Sequence, residues 1–389
     1  MWFQREISDQ LKQAAQTRPA LVLTGPRQVG KSSLLRALFP QHRYVTLDSI
    51  PEASLAEQNP KAFLESHPAP LIIDEIQYAP GLLRHLKVAI DEDRKQYGRY
   101  LLSGSQSFEL MRGVSESLAG RVAVFQLEGL TRSELRSAPS TPGVWEQIWK
   151  GGFPELWASP KISVPSFHQS YIATYLERDV RNLLKVGNLR DFDRFIRACA
   201  LRSAQILNKS DLARDVGISP STAGEWLSVL EASRQVFLLE PWFSNKTKSL
   251  IKSPKLYFGD TGLLCSLLRI TAPERIREHV HAGAIWETHV FSELRRTLAN
   301  RAEAGRLNFW SDRRREVDFV FEKDGSIHAW DAKLHELPAD SDTAQLRHFR
   351  EVLPRAARES TVLGLITPSE KSFPLSSGIE VLGSDLAWI

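Results

Sequence analysis

A chain of 389 residues, 42% hydrophobic and 25% charged, is long enough for two or three domains that each bury a core. Two cysteines, Cys199 and Cys265, imply no disulfide framework, and a net charge of +4 permits nucleic-acid contact without demanding it. No signal-peptide pattern opens the sequence and no apolar run approaches the roughly 18 residues of a membrane helix, so a cytoplasmic protein outside the membrane is expected.

Leu21-Val22-Leu23-Thr24 reads as a buried strand and Ser32–Leu38 as a helix. Between them Gly25-Pro26-Arg27-Gln28-Val29-Gly30-Lys31-Ser32 is a complete phosphate-binding loop. Gly25 and Gly30 permit a backbone that turns its N–H groups onto a phosphate, Lys31 brings a charge to the β/γ oxygens, and Ser32 offers a hydroxyl to Mg2+, with Ser33 adjoining. Further strands are predicted at 43–48, 71–74, 100–103 and 122–127, with helices between, which argues for a parallel sheet covered on both faces. The third strand delivers Asp74 for the Mg2+ shell and Glu75 to orient or deprotonate water. Ser105, with Ser103 close behind, is the candidate γ-phosphate sensor. Arg121, or its rival Arg178, is the candidate to offset transition-state charge in cis or across a subunit boundary; for Arg121 the alternative is a surface arginine at a helix end.

The octet, with Ile72-Ile73-Asp74-Glu75-Ile76-Gln77, Leu101-Leu102-Ser103-Gly104-Ser105 and Leu118-Ala119-Gly120-Arg121, resembles a bacterial and archaeal branch of AAA+ ATPases. Gly151-Gly152-Phe153-Pro154-Glu155, Tyr175–Asp179 and Pro254–Asp260 fit the same branch, so the resemblance covers essentially the whole chain. It implies AAA+ architecture, a homo-oligomeric ring, and ATP rather than GTP as substrate.

A small-residue break at 137–143 is followed by a mostly helical stretch to about residue 207, expected to be an ATPase lid and connector. Asn208 caps one short helix, Gly217 makes a turn, and Ser219-Pro220 starts a second helix over 221–232: a helix-turn-helix. The strand at 236–239 opens a wing that runs from Trp242 and Phe243 to Phe258, with Lys246, Lys248, Lys252 and Lys255 and no acidic residue, a pattern suited to tracking a DNA backbone. Glu225 and Glu231 make the second helix a poor reader of bases, and a winged helix also serves as a protein contact.

An amphipathic helix at 285–294 carries Glu287, the strand 316–321 carries Asp318, Lys323-Asp324-Gly325 is a hairpin turn, and the returning strand 327–333 carries Asp331 and Lys333 on one face, with Trp330, Ala332 and Leu334 on the other. Two facing carboxylates beside an ammonium suit metal-assisted phosphodiester cleavage, with Mg2+ or Mn2+ on Asp318 and Asp331, Glu287 completing the shell, and Lys333 positioning water. The order resembles the PD-(D/E)XK nuclease fold, Holliday-junction resolvases included, except that Val317 replaces the proline. The alternatives are a surface ion pair, or a nuclease-like fold that grips without cutting. Arg313, Arg314 and Arg315, with Arg295 and Arg296, are candidate phosphate contacts.

The expected architecture is therefore α/β: an AAA+ core at 1–140, a helical lid at 141–200, a winged helix at 201–270 and a PD-(D/E)XK nuclease-like domain at 271–389. The expected function is an ATP-driven motor coupled to a DNA endonuclease acting on branched DNA. The alternatives are a nucleotide-dependent switch or scaffold with an inactive end domain, and a signalling ATPase whose winged helix meets protein.

Overall fold

The computed structural model describes residues 2–105, 114, 116–136, 141–176, 189–243, 253–301, 303, 305–312 and 315–385. These form two compact units, one comprising Met1–Leu130 with Phe153–Ala158 and Ala232–Arg234, the other the remainder.

In the first unit β1 (Ala20–Gly25), β2 (Arg43–Thr46), β3 (Leu71–Asp74), β4 (Tyr100–Ser105) and β5 (Val122–Gln126) make one sheet in the order β2-β3-β4-β1-β5. All its pairings are parallel. Continuous apolar runs are what such a sheet needs, because alternate side chains enter two different cores. Val22, Ile73 and Leu102 pack on one side with Leu82, Leu83, Leu86 and Ile90 of the Leu82–Glu92 helix. Leu21, Leu23, Ile72 and Leu101 pack on the other with Leu11, Leu34 and Leu35. β3 falls where expected, the other strands differ by one or two residues at their ends, and β4 extends through Ser105.

The second unit holds two sheets. Helices Leu189–Ala200, Lys209–Val216 and Pro220–Ala232 accompany a small antiparallel sheet of β6 (Gln205–Ile206), β7 (Val236–Leu239) and β8 (Lys255–Phe258), with β8 central. The caps are as the sequence predicts: Asn208 Oδ1 accepts from Ser210 and Asp211 N–H at 3.0 and 3.2 Å, Ser219 Oγ accepts from Thr222 N–H at 3.1 Å, and Gly217 turns at φ 84°. Trp226 meets Phe192 and Phe195 edge-on at the core of this group.

The larger sheet comprises β9 (Leu307–Ser311), β10 (Glu316–Lys323), β11 (Ser326–Ala332), β12 (Thr361–Ile366), β13 (Phe373–Pro374) and β14 (Glu380–Leu382), ordered β13-β14-β12-β11-β10-β9. β9, β10 and β11 form an antiparallel meander, and β11 pairs β12 in parallel across the helix Ala344–Val352. The predicted hairpin is present, with Asp324 and Gly325 both at positive φ. The expected division of β11 into a core face and an open site face is corrected. Trp330 and Asp331 are both buried, and Ile327 and Ala329, on the Asp331 side, pack with Leu346 and Phe349. Among the described residues no helix is long and apolar enough to cross a membrane.

Candidate functional site

Gly25 and Gly30 stand at φ 143° and 90°, and a Cβ at Gly25 would lie 1.9 Å from the Leu127 carbonyl oxygen. Gly30 also begins the helix Lys31–Leu38, whose free N–H groups and dipole favour an anion. Lys31 is buried and donates to the carbonyls of Gly25 and Pro26 at 3.0 and 2.8 Å. Burial lowers its pKa to about 8 against the opposing pull of Glu75 and Asp74. Val29 fills the core beneath the loop, whereas Gln28 and Ser33 are exposed.

Asp74 is the hub. It accepts from Ser32 Oγ at 2.8 Å, from Tyr44 OH at 2.9 Å, and from Ser103 Oγ. Hydroxyl and carboxylate oxygens in this arrangement fit Mg2+. Burial, followed by Asp74, raises the Tyr44 pKa to about 12, so this phenol stays a donor. Glu75 has a left-handed backbone, φ 54°, a conformation uncommon for a residue with a side chain. Its carboxylate is held by the Gln77 amide, which also donates to Ser105 Oγ at 3.1 Å, and Ser105 N–H points to it at 3.4 Å. Thus Ser103 reaches the Asp74 side of the site and Ser105 the Glu75 side.

Sequence reasoning missed Tyr44, Gln77 and Arg5. The Arg5 guanidinium is buried and donates to Val29 O at 3.1 Å and Glu128 O at 2.6 Å, tying the loop to the end of β5. Its signal was weak: a lone arginine ahead of the first helix. Arg121 donates through two nitrogens to Asp91, each at 2.7 Å, so its guanidinium is engaged by a carboxylate in this structure. Arg178 lies outside the described residues.

In the second unit Glu287, Asp318, Asp331 and Lys333 do come together. β10 and β11 place Asp318 opposite Asp331, with Asp318 N–H on Asp331 Oδ1 at 3.2 Å and Ala332 N–H on Asp318 Oδ2 at 2.9 Å. Lys333 Nζ stands 3.5 Å from Asp331 Oδ2. The helix Ala282–Asn300 supplies Glu287. Glu287 and Asp331 are each raised to about 7, by burial first and then by Asp318.

Against Glu287 and Asp318 lies a residue assigned elsewhere from sequence. Lys255, expected on a DNA-tracking wing, is 1% exposed. Its Nζ is 2.8 Å from Glu287, 2.6 Å from Glu316 and 3.2 Å from Asp318. The next residue on the same strand face, Tyr257, donates to the same Glu287 oxygen at 2.6 Å. Burial opposes the charge on Lys255, but Tyr257 and the three carboxylates outweigh it and hold the ammonium well above the ordinary lysine range. Among the described residues no three His, Cys, Asp or Glu side chains are arranged to hold a metal. The expected metal shell of Glu287, Asp318 and Asp331 therefore does not fit a divalent ion as it stands, because the Lys255 ammonium is already seated on Glu287 and Asp318.

Other residues of the expected wing and basic run are engaged within the fold. Arg296 is buried, donates to Gly259 O at 2.6 Å and faces Asp260 at 3.7 Å; Arg295 stacks over Phe237 at 3.7 Å; Trp242 donates to Glu322 at 2.6 Å and packs on Phe349. Arg315 is exposed, whereas Lys246, Lys248, Lys252, Arg313 and Arg314 lie outside the described residues.

Three family models match this chain: an AAA domain over residues 17–136, and two domains of unknown function, DUF8612 over 141–274 and DUF4143 over 282–386. Uncharacterized protein Rv2008c of Mycobacterium tuberculosis and Uncharacterized protein Mb2031c of Mycobacterium bovis are each 30% identical over 388 residues, spanning 98% of this chain and 83% of theirs. The chain belongs to the family of these mycobacterial proteins. Its first unit is an AAA domain, and its phosphate-binding loop is that of a P-loop ATPase. The walker-type ATPase PABY2304 of Pyrococcus abyssi is 17% identical, with a TM-score of 0.46 over 69% of this chain and 96% of that one. AMPPCP-bound DnaA from Aquifex aeolicus is 15% identical, with a TM-score of 0.25 over 58% of this chain and 85% of that one.

Proposed function

We propose that this AAA-family protein is an ATP-hydrolysing switch whose second unit grips DNA or a protein partner without cutting it. The observation that carries the ATPase half is the Asp74 hub: one carboxylate joined to the hydroxyls of Ser32, Ser103 and Tyr44, with Glu75 beside it. Ser32 and Asp74 would hold Mg2+, which neutralises phosphate charge when bound. Lys31, with the N–H groups at the start of its helix, binds the phosphates of ATP. Glu75 orients a water and accepts its proton, while Gln77 and Ser105 fix the carboxylate.

The second unit supports gripping rather than cutting, because the Lys255 ammonium is already seated on Glu287 and Asp318, which a nuclease would present to a metal. Residues 201–270 serve as a winged helix, on the strength of three helices around a three-stranded antiparallel sheet, and residues 271–389 as a nuclease-like sheet. Residues 1–140 are the ATPase core and 141–200 its lid and connector, and the active form is a homo-oligomer. The second helix offers Ser221, Glu225 and Ser228 to solvent, which suits contact without base reading.

ATP turnover, nucleotide binding and cleavage of four-way, forked and linear DNA test this reading. Glu75→Gln is expected to keep ATP binding and lose turnover by about 10²–10⁴-fold, and Lys31→Ala to lose both. Metal-dependent DNA products from the wild type, abolished in Asp331→Ala, would restore the endonuclease reading.

A further inference from the structure

The hydroxyls around Asp74 are divided between its two oxygens. Ser32 Oγ lies 2.8 Å from both. Among the described residues each oxygen then has one further hydroxyl of its own: Ser103 on Oδ1, and Tyr44, at 2.9 Å, on Oδ2. The three hydroxyls come from three elements, the Lys31–Leu38 helix, β4 and β2. β2 lies at the edge of the sheet and pairs with β3 in the register Thr46 to Asp74 and Tyr44 to Ile72. Tyr44 therefore shares a face with Asp74, two residues back on the neighbouring strand. An aromatic side chain spans that diagonal, whereas serine or threonine would fall short of it. The Arg36 guanidinium lies over the Tyr44 ring, 4.8 Å from its centroid, and steadies a side chain that is 38% exposed.

We propose that Tyr44 is a positioning residue of the ATPase site: its hydroxyl fixes the Asp74 carboxylate and thereby sets the affinity of the site for Mg2+. The inference rests on the reading of Ser32 and Asp74 as the residues that hold the metal. A carboxylate turns about its Cβ–Cγ bond in a broad, roughly two-fold well, so a single anchor on Oδ1 leaves Oδ2 free to swing. Ser103 supplies the first anchor and Tyr44 the second, and together they define the carboxylate plane. Ser32 is a poor substitute, because its oxygen is the one offered to the metal. Nor is the phenol needed to fasten β2 to β3. The two strands already pair along their whole length, Arg43–Thr46 against Leu71–Asp74, so the hydroxyl acts chiefly on the carboxylate.

Partners that orient a metal-holding group govern metal affinity, and losing one costs about 10–100-fold. The test is a Mn2+ titration of the full chain, loaded with ADP kept below the protein concentration and followed by electron paramagnetic resonance. Tyr44→Phe keeps the ring and its Arg36 contact and removes the hydroxyl alone. It is expected to weaken Mn2+ binding by about 10-fold or more and to move the Mg2+ dependence of ATP turnover to higher Mg2+.

Unchanged Mn2+ affinity in Tyr44→Phe would overturn the inference. A lowered melting temperature with no shift in Mn2+ affinity would do the same, since the hydroxyl would then serve the fold alone. Should Tyr44→Phe not fold, Arg36→Ala carries the test, because it keeps the hydroxyl and loosens its aim. It is expected to weaken Mn2+ binding, and wild-type affinity in its place is a refutation. ATP turnover by the wild type is judged separately. A chain that turns over no ATP, yet loses Mn2+ affinity on Tyr44→Phe, would sink the switch and leave the role of Tyr44 standing.

Discussion

Arg5 anchors the nucleotide loop from a position far from it in sequence, through a buried guanidinium that donates to the carbonyls of Val29 and Glu128. Charge-assisted bonds of this sort contribute more than neutral ones, and carbonyls left unpaired in a core cost extra. Arg5→Ala is expected to destabilise the first unit by about 2–4 kcal/mol and to raise the KM for ATP more than it lowers kcat. Thermal melting with steady-state kinetics checks this; an unchanged melting temperature would show that Arg5 does not anchor the loop. Gly25 has a comparable constraint of steric origin. With φ at 143° and the Leu127 carbonyl where a Cβ would go, Gly25→Ala is expected to cost more than about 2 kcal/mol and to abolish nucleotide binding.

Within elements, the helix Ala282–Asn300 is unusual in burying titratable groups on several faces: Glu287 meets Lys255, His289 and Glu293 are each 2% exposed, and Arg296 is 6% exposed. Glu293 accepts from Arg132 N–H at 2.7 Å and the Gln147 amide at 3.1 Å. Burial, then Arg132 and Arg296, lowers the His289 pKa from 6.5 to about 3, and its Nε2 has no hydrogen-bond partner. The unfolded chain takes up this proton near pH 6.5 while the folded chain does not, so stability present above that pH is lost as pH falls toward 3. The loss amounts to about 2 kcal/mol between roughly pH 7 and 5. Glu287, Glu293 and Asp331, all raised to about 7 with burial the leading cause, act with the opposite sign, their contribution fading as pH rises through 7. Only the difference between wild type and His289→Gln isolates the imidazole. Urea denaturation at several pH values should show a flatter acid limb in the variant, and parallel curves would exclude the role.

For the whole molecule, the chain passes from the first unit to the second at Leu130–Thr131, and Arg132, the residue after that passage, is fixed to Glu293. The proposed switch would use this covalent passage, which ends on a buried, hydrogen-bonded anchor. If the second unit grips a DNA backbone, DNA is expected to stimulate ATP turnover, and the stimulation should fall steeply with salt as counterions compete. Stimulation that is indifferent to salt, or none at all, would point to a protein partner. Glu293→Gln is expected to uncouple the two activities, leaving basal turnover within about 2-fold while reducing stimulation.

The sequence by itself determined the nucleotide half. The phosphate-binding octet, the apolar strands and the Asp74-Glu75 pair are contiguous patterns whose chemistry follows from residue type and spacing, and the sheet formed as the alternation required. The helix caps at Asn208 and Ser219, the Asp324-Gly325 turn and the meeting of Asp318 with Asp331 were also legible, because capping, turn and cross-strand rules act over a few residues or one hairpin. What surrounds those carboxylates was not. Lys255 comes from a strand dozens of residues earlier, where a lysine among lysines reads as exposed charge, and no local period reveals that three acidic side chains will enclose it. Arg5, Tyr44, Gln77 and Arg296 escaped for the same reason. A polar side chain's partner is chosen by the packing of distant elements, and burial then decides whether its charge faces a ligand or holds the fold.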